Sequence, residues 1–161
     1  MTSKSRPAFG FRPGPGPGVS LALVLLASAA QAAPVDATIT QGRIQVLLPS
    51  RPAAGYFTLE NHGTAPLVLS GASAPDCQSL MLHQSSTEGG MASMAMVASV
   101  PVPPQGSVHF VPGGYHLMCM QPSGPLLTHT GTETVTLHFA DGGSVSAPFV
   151  IQGPGAKAAG K

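Results

Sequence analysis

The chain has 161 residues, a length typical of one domain. Only 8% of the residues are charged and 43% are hydrophobic, and the chain contains 20 glycines and 17 prolines. The aliphatic content is too high for a disordered chain, and no run of 18 apolar residues could form a membrane-spanning helix. The many turn-forming residues favour short strands over helices.

The N-terminal segment has the features of a secretory signal peptide. The first 20 residues carry three basic side chains and no acid, residues 21–30 are apolar, and Ala30-Gln31-Ala32 matches an A-x-A cleavage motif. We therefore expect export, with residues 1–32 removed by cleavage near Ala32 and no membrane insertion afterwards. A buried N-terminal helix is the alternative. No Cys follows the apolar run, so we do not expect a lipid anchor.

Removal of this segment changes the charge balance. The remaining chain has four basic and six acidic residues, which gives a net charge of −2. A nucleic-acid-binding protein needs a basic face, and so does a protein that binds anionic membranes. Neither class of partner is expected.

Strand-like segments recur through the rest of the chain, with alternating apolar residues or β-branched residues between turns. Nine segments are predicted: 38–48, 55–61, 67–70, 78–83, 94–102, 107–111, 115–120, 132–140 and 144–151. The pair 132–140 and 144–151, joined by Asp141-Gly142-Gly143, is the clearest hairpin. We predict an all-β Greek-key sandwich or barrel of eight or nine short strands over residues 33–152, followed by a flexible tail at 153–161.

Methionines and histidines are concentrated in one part of this β-domain. All methionines except the initiator lie within forty residues: Met81, Met91, Met94, Met96, Met118 and Met120. Methionine can simply fill a core, but small β-cores are usually filled by Val, Ile, Leu and Phe. His116 and Met118 are two residues apart on a predicted strand, so their side chains point to the same face. The pattern favours a metal site over simple packing.

The donor types indicate which metal would bind. His83 ends an earlier predicted strand and Met94 follows a glycine turn, so two imidazoles and two thioethers are available with His116 and Met118. Thioethers select Cu(I), whereas zinc prefers Cys, His and carboxylate. Neutral ligands also leave a monovalent ion with little charge to bury.

The spacing of these four residues resembles the H-x10-M-x21-H-x-M signature of the PCuAC family of periplasmic copper chaperones. Two further segments resemble that family: Gly55–Gly63, which reads GYFTLENHG, and Pro112–Met118, which reads PGGYHLM. Thr136–Phe139 resembles a strand of the family, and the likeness extends from Val35 to Ile151.

The resemblance implies a cupredoxin-like β-fold in the periplasm that binds one Cu(I) per chain through His83, Met94, His116 and Met118. It also implies delivery of copper to an acceptor, either cytochrome c oxidase subunit II or a Sco-type protein. Some members carry a second site in a His- and Met-rich tail, which this chain lacks, so we expect a single site. We expect a monomer.

Met81 and Met120 lie two residues from His83 and Met118, respectively. Each shares a strand face with its neighbour. Simple packing is the main expectation for both residues, and the alternative is that they line the site or replace a lost ligand. Met91 and Met96 flank Met94 and are weaker candidates. Tyr56 is expected to be a core ring, and the other histidines are not expected to be ligands: His62, His109, His129 and His138.

Cys77 and Cys119 allow three states in an exported protein. A structural disulfide fits an oxidising compartment, and free core thiols are the second possibility. The third is a metal-binding thiol, but Cys119 directly follows Met118 and should face away from the metal on a regular strand.

Three other functions are considered. A blue-copper electron carrier needs a thiolate beside two imidazoles, and the order His-x-Met-Cys-Met does not supply one on the correct face. An enzyme is not expected, because no hydrolase or zinc-protease motif is present and no carboxylate pair lies near the histidines. A metal-scavenging or metal-free binding module of the export compartment is the remaining alternative.

Overall fold

The computed structural model describes residues 35–87 and 90–156. The predicted signal peptide and most of the predicted tail lie outside the described residues, and the predicted domain boundaries stay predictions. Ten strands and one short helix are present: β1 Ala37–Gln45, β2 Ala53–Asn61, β3 Leu67–Ser73, β4 Cys77–Ser86, β5 Ser93–Met96, β6 Val100–Val102, β7 Gly106–Phe110, β8 Tyr115–Pro122, α1 Pro125–Thr128, β9 Thr132–Phe139 and β10 Ser144–Gln152. Within this part of the chain, no helix is long and apolar enough to cross a membrane.

The strands close into a barrel. Their order is β5-β4-β8-β7-β2-β1-β10-β9-β3-β6, and additional pairings join β4 to β3 and β8 to β2. The β4–β3 pairing closes the ring, so that β5 extends the sheet beyond β4 and β6 extends it beyond β3. The pairs β1–β10 and β7–β8 are parallel and the others are antiparallel. The predicted all-β class is confirmed, and so is the β9–β10 hairpin.

One predicted strand is wrong. The segment 94–102 is not a single strand, because it divides into β5 and β6 at opposite ends of the strand order. After Met96 the chain leaves β4, and Val97 donates a last backbone hydrogen bond to the Leu82 carbonyl. It then pairs with β3, where Val100 and Val102 are fully buried. Between β8 and β9, outside the predicted strands, the chain forms the single-turn helix α1.

The barrel interior is filled by the apolar half of each alternating strand. Phe57 stacks on Phe110 with ring centroids 4.1 Å apart and contacts Phe149 at 5.4 Å. Gly55 of β2 lies against Leu117 of β8, where an added Cβ would come within 3.1 Å of the Leu117 Cβ. A glycine at this position therefore lets β2 and β8 approach closely.

A disulfide joins β4 to β8. Cys77 and Cys119 are bonded with their Cα atoms 5.3 Å apart. Cys77 pairs with Pro122 in the sheet, Cys119 pairs with Leu80, and Gln121 between them on β8 has a positive φ of 48°. Both cysteines lie in the core, and Cys119 is fully buried.

Removal of this disulfide should destabilise the fold. The bond closes a loop with a sequence separation of 42 residues, for which chain entropy predicts a stabilisation of about 2–4 kcal/mol. We expect the variant Cys77→Ser/Cys119→Ser to lose that much free energy of unfolding in urea, measured on metal-free protein. Two alkylatable thiols in the unreduced wild-type protein would contradict the bond itself.

A buried carboxyl group lies near the same end of the barrel. Glu133 of β9 is only 3% exposed and accepts a hydrogen bond from the Asp76 backbone N–H at 3.3 Å. Burial raises the pKa of Glu133, and the neighbouring Asp76 side chain raises it further by hydrogen bonding and charge repulsion. The backbone hydrogen bond acts in the opposite direction. The folded protein therefore holds a proton on Glu133 more tightly than the unfolded chain does.

The Glu133→Gln variant tests this assignment. Because the folded-state pKa of Glu133 is raised, its contribution to stability is present at acidic pH and is lost as the pH rises through the folded-state pKa. Glutamine keeps the acceptor oxygen and carries no charge. We expect the variant to gain stability over the wild type as the pH rises from 4 to 8, measured by urea unfolding. A stability difference that does not vary with pH would contradict the raised pKa.

Candidate metal centre

The predicted ligands lie on the outer face of the β5-β4-β8 part of the sheet. Along β8, Leu117 and Cys119 are fully buried in the core, while Met118 and Met120 alternate with them and are half-buried. Along β4, Leu80 and Leu82 point inward, and Met81 and His83 alternate with them. Since alternate residues of a strand face opposite sides, the core leucines place the histidines and methionines on the outside.

The two histidines face each other across adjacent strands. His83 of β4 is the direct register partner of His116 of β8, and their ring centroids are 5.9 Å apart. Directly opposed side chains of an antiparallel pair share one face, with Cβ atoms about 5 Å apart. Residues 33 positions apart in the sequence are thereby brought to one point.

His116 is oriented by the backbone. Its Nδ1 lies 3.1 Å from the Gly114 carbonyl oxygen, which also accepts the backbone N–H of Ser85 at 3.0 Å. A carbonyl only accepts, so Nδ1 carries the proton, and in the neutral ring Nε2 keeps its lone pair. Metal-binding histidines commonly donate their second nitrogen to a carbonyl in this way.

The free nitrogen of His116 is directed at a thioether. His116 Nε2 lies 3.2 Å from the Met94 sulfur. In the neutral tautomer both atoms are lone-pair donors, so no hydrogen bond joins them. At the bond lengths zinc makes to nitrogen and sulfur, about 2.0 and 2.3 Å, two tetrahedral ligands of one ion lie about 3.5 Å apart. The contact therefore has a separation suited to two ligands of one metal ion.

His83 supplies two nitrogens that no other group uses. Its Nδ1 and Nε2 are both buried, and neither has a hydrogen-bond partner among the described residues. Buried polar atoms are nearly always paired, so such an imidazole indicates a ligand. Burial lowers the pKa of His83, and the nearby His116 lowers it further. Both effects favour the neutral ring, which is the form that binds a metal.

Met94 reaches the histidines from the edge strand β5. It lies opposite Ser85, two residues along β4 from His83, and is 53% exposed. Its long side chain crosses this distance to contact His116. Of the four predicted ligands, His83, His116 and Met94 are thus brought together by direct geometry.

Met118 is placed at the site by strand register. It lies two residues from His116 on the same face, opposite Met81 of β4. Met120 lies two residues further along, opposite Ser79. The assignment of Met118 as a ligand, and of Met81 and Met120 as neighbours, stays a prediction.

The structure places Met96 and Tyr56 nearer to the candidate site than the sequence predicts. Met96 is the direct partner of His83 on β5 and is 68% exposed, although the sequence ranks it below Met94. Tyr56 was expected in the core, but it is half-buried on the outer face, with its ring centroid 6.4 Å from that of His116. The Arg43 guanidinium lies 5.0 Å from the Tyr56 centroid. The alternation of β2, with Phe57 and Leu59 as the inward set, is the signal that would have placed Tyr56 outside.

The remaining histidines lie away from this site or are occupied. His62, His109 and His138 contact the hydroxyls of Thr38, Thr58 and Ser73 at 2.8, 3.1 and 2.8 Å, respectively. His129 lies at the end of α1, and its Nε2 is buried with no partner among the residues that the structure describes.

Hard or zinc-type donors are not clustered in the described part of the chain. No group of three or more His, Cys, Asp or Glu side chains could hold a metal ion there. Both cysteines are in the disulfide and point into the core. The candidate centre therefore consists of imidazole and thioether donors only.

Comparisons with known proteins agree with this fold. Residues 37–151 match the family described as "Putative lipoprotein LpqE-like". The copper-bound PCuAC domain from PmoF2 has a similar fold, with a TM-score of 0.60 and 22% identity, over 76% of this chain and 97% of that domain. The CuI-bound DR1885 from Deinococcus radiodurans is 33% identical, with a TM-score of 0.54, over 78% of this chain and 83% of that one.

A curated relative also matches part of the chain. The "Putative lipoprotein Lxx21020" of Leifsonia xyli subsp. xyli is 33% identical over 91 residues, which is 55% of this chain and 54% of the relative. The chain thus spans about half the length of the curated relative that it matches. The cupredoxin-like fold and the resemblance to the PCuAC family are both confirmed. The chain belongs to the LpqE-like family, which is of the PCuAC type.

Proposed function

We propose that this protein is an exported copper carrier that binds one Cu(I) through His83, Met94, His116 and Met118. The observation that carries the proposal is the meeting of three unpaired donors at one point. His116 Nε2 faces the Met94 sulfur at 3.2 Å, and the nitrogens of the directly opposed His83 have no hydrogen-bond partner in the part of the chain that the structure describes.

The donor set favours Cu(I) over other ions. Thioethers are soft ligands that suit Cu(I), and the described residues contain no cluster of three or more His, Cys, Asp or Glu side chains of the kind that zinc, calcium or magnesium would recruit. Four neutral ligands around a monovalent ion leave a single positive charge, which a half-buried site can hold more easily than two. The copper-bound PmoF2 domain and the CuI-bound DR1885 support this choice.

Several features favour a carrier over a permanent metal site. The centre lies on the outer surface of the barrel, and Met94 is on a four-residue strand at the edge of the sheet. A ligand from an acceptor can approach from this edge and replace the thioether before either imidazole is released. Such stepwise exchange keeps copper bound throughout the transfer.

We propose the export compartment as the place of action and a copper protein as the acceptor. The N-terminal signal and the lipoprotein description of the family support export to the periplasm. The family resemblance supports either cytochrome c oxidase subunit II or a Sco-type protein as the acceptor. A scavenging role uses the same site and differs only in the direction of transfer.

The electron-carrier alternative lacks its main ligand. A blue-copper site needs a cysteine thiolate, and both cysteines here are bonded to each other inside the core. We also propose that the protein is not an enzyme, because both histidines are assigned to the metal and would not be free to act as a general acid or base.

The ligand assignment is tested by single substitutions. We expect wild-type protein to bind one Cu(I) per chain, and His116→Ala, His83→Ala and Met118→Leu each to weaken binding. Changes to outer-sphere partners of metal ligands reduce affinity by about 10–100-fold, so loss of a ligand itself should exceed about 100-fold for the histidines. Competition with a chromophoric Cu(I) chelator measures the affinity.

Met94 and Met91 form a matched pair for the control. Met94 contacts His116, whereas Met91 is 78% exposed and lies outside the strands. Met94→Leu should weaken Cu(I) binding, and Met91→Leu should leave it unchanged. Equal affinities for wild type and the His83→Ala/His116→Ala variant would overturn the proposed site.

A further inference from the structure

We propose that Met81, Met118 and Met120 form a second, all-thioether subsite that holds Cu(I) when the imidazoles release it. The inference rests on the proposed copper-binding function, since Met118 belongs to both ligand sets. It adds a second position for the metal on the same chain.

The strand pairing places these three side chains together. Met81 of β4 is the direct partner of Met118 of β8, and Met120 follows two residues later on the same face. Opposed side chains have Cβ atoms about 5 Å apart, and residues two apart on a strand are separated by about 7 Å. A methionine side chain has three rotatable bonds, so the three sulfurs can converge on one ion.

The burial pattern shows that these methionines do not fill the core. Their strand neighbours Leu80, Leu117 and Cys119 occupy the inward positions. Met81, Met118 and Met120 are half-buried on the outer face, whereas Met94 and Met96 on the edge strand are 53% and 68% exposed. The inner methionines are therefore better shielded from water than the edge pair, which suits a holding position for a soft ion.

The chemistry of the shift involves ligand exchange alone. The bonds from copper to His83, His116 and Met94 break, the bonds to Met81 and Met120 form, and the bond to Met118 is kept. Copper remains Cu(I), and no proton or electron is transferred. Because Met118 takes part in both positions, the two cannot be filled at once, and the protein carries one copper in either state.

The experiment isolates the subsite by removing both imidazoles. The His83→Ala/His116→Ala variant is titrated with Cu(I) against a chelator, and its coordination shell is measured by X-ray absorption. We expect one Cu(I) per chain, weaker than in the wild type, with sulfur neighbours from the protein and no imidazole nitrogen. Thermal unfolding of each variant verifies that the barrel is folded.

Two further pairs of substitutions in that background assign the sulfurs. Met81→Leu/Met120→Leu should weaken the remaining binding by at least about 10-fold, the lower end for losing a supporting group at a metal site. Met94→Leu/Met96→Leu, which changes the edge strand instead, should alter it less than about 3-fold. Leucine preserves the size of each side chain, so packing on the sheet is little changed.

The outcomes separate this proposal from the proposed function. If the variant without imidazoles binds no Cu(I) while the wild type binds one, the subsite is wrong and the His–Met carrier stands. If the edge-strand pair abolishes the remaining binding, the subsite is also wrong. If the wild type shows no imidazole nitrogen around copper, the proposed function fails instead.

Discussion

The pairing of β4 with β8 is the constraint on which the candidate metal centre depends. It sets His83 opposite His116 and Met81 opposite Met118. A slip of one residue on either strand would turn its histidine into the core and a leucine out to solvent, because side chains alternate with a period of two. The inward residues Leu82 and Leu117 therefore fix the register by their burial. The Cys77–Cys119 bond fastens the same two strands near the end of β8.

One consequence of this register is that the His83 side chain is buried without hydrogen bonds, which costs free energy. Burial and the second imidazole lower the pKa of His83, and neither of its nitrogens is paired within residues 35–87 and 90–156. Leaving buried donors or acceptors unpaired costs about 1–3 kcal/mol each. A soft monovalent ion recovers part of that energy without adding much charge. In the proposed carrier, the barrel therefore contributes to metal affinity before the ion arrives, because His83 and His116 already lie opposite each other and the neutral form of His83 is already favoured.

Much of the candidate site could be predicted from the sequence, because the relevant patterns are spacings between residues along the chain. The step from His116 to Met118 defines one strand face, and the spacing of all four candidate ligands matches a known signature. Strand type was also predictable from alternation, as in β9 and β10. The position of Met96 beside His83 depends instead on how β5 pairs with β4, which is a contact between separate segments. No local pattern encodes that pairing.

The division of residues 94–102 into two strands shows the same limit. The composition favours extended structure along the whole segment, so it predicts strand type correctly but neither the bend at Ala98 nor the two different partners. The two halves pair with different strands. Met96 pairs with His83 of β4, whereas Val100 is buried against β3. Burial holds the second half in the fold, and the first half is an exposed edge. The buried valines therefore anchor β6 in the core. In contrast, β5, which carries the methionines of the candidate metal centre, is held by its pairing with β4.

A copper carrier, as proposed here, has to bind its metal tightly and also release it to a partner. The different positions of the imidazoles and of Met94 in the sheet suit these two requirements. Tight binding needs rigid ligands, and the imidazoles lie on β4 and β8, which are central strands joined by a disulfide. Transfer needs at least one ligand that a partner can replace, and Met94 lies on the short edge strand at the surface. A thioether is also the weaker donor, because it is neutral and poorly basic. In the proposed transfer, the ligand that is easiest to displace is therefore also the one that an incoming protein reaches first, and copper passes from one protein to the other without entering water.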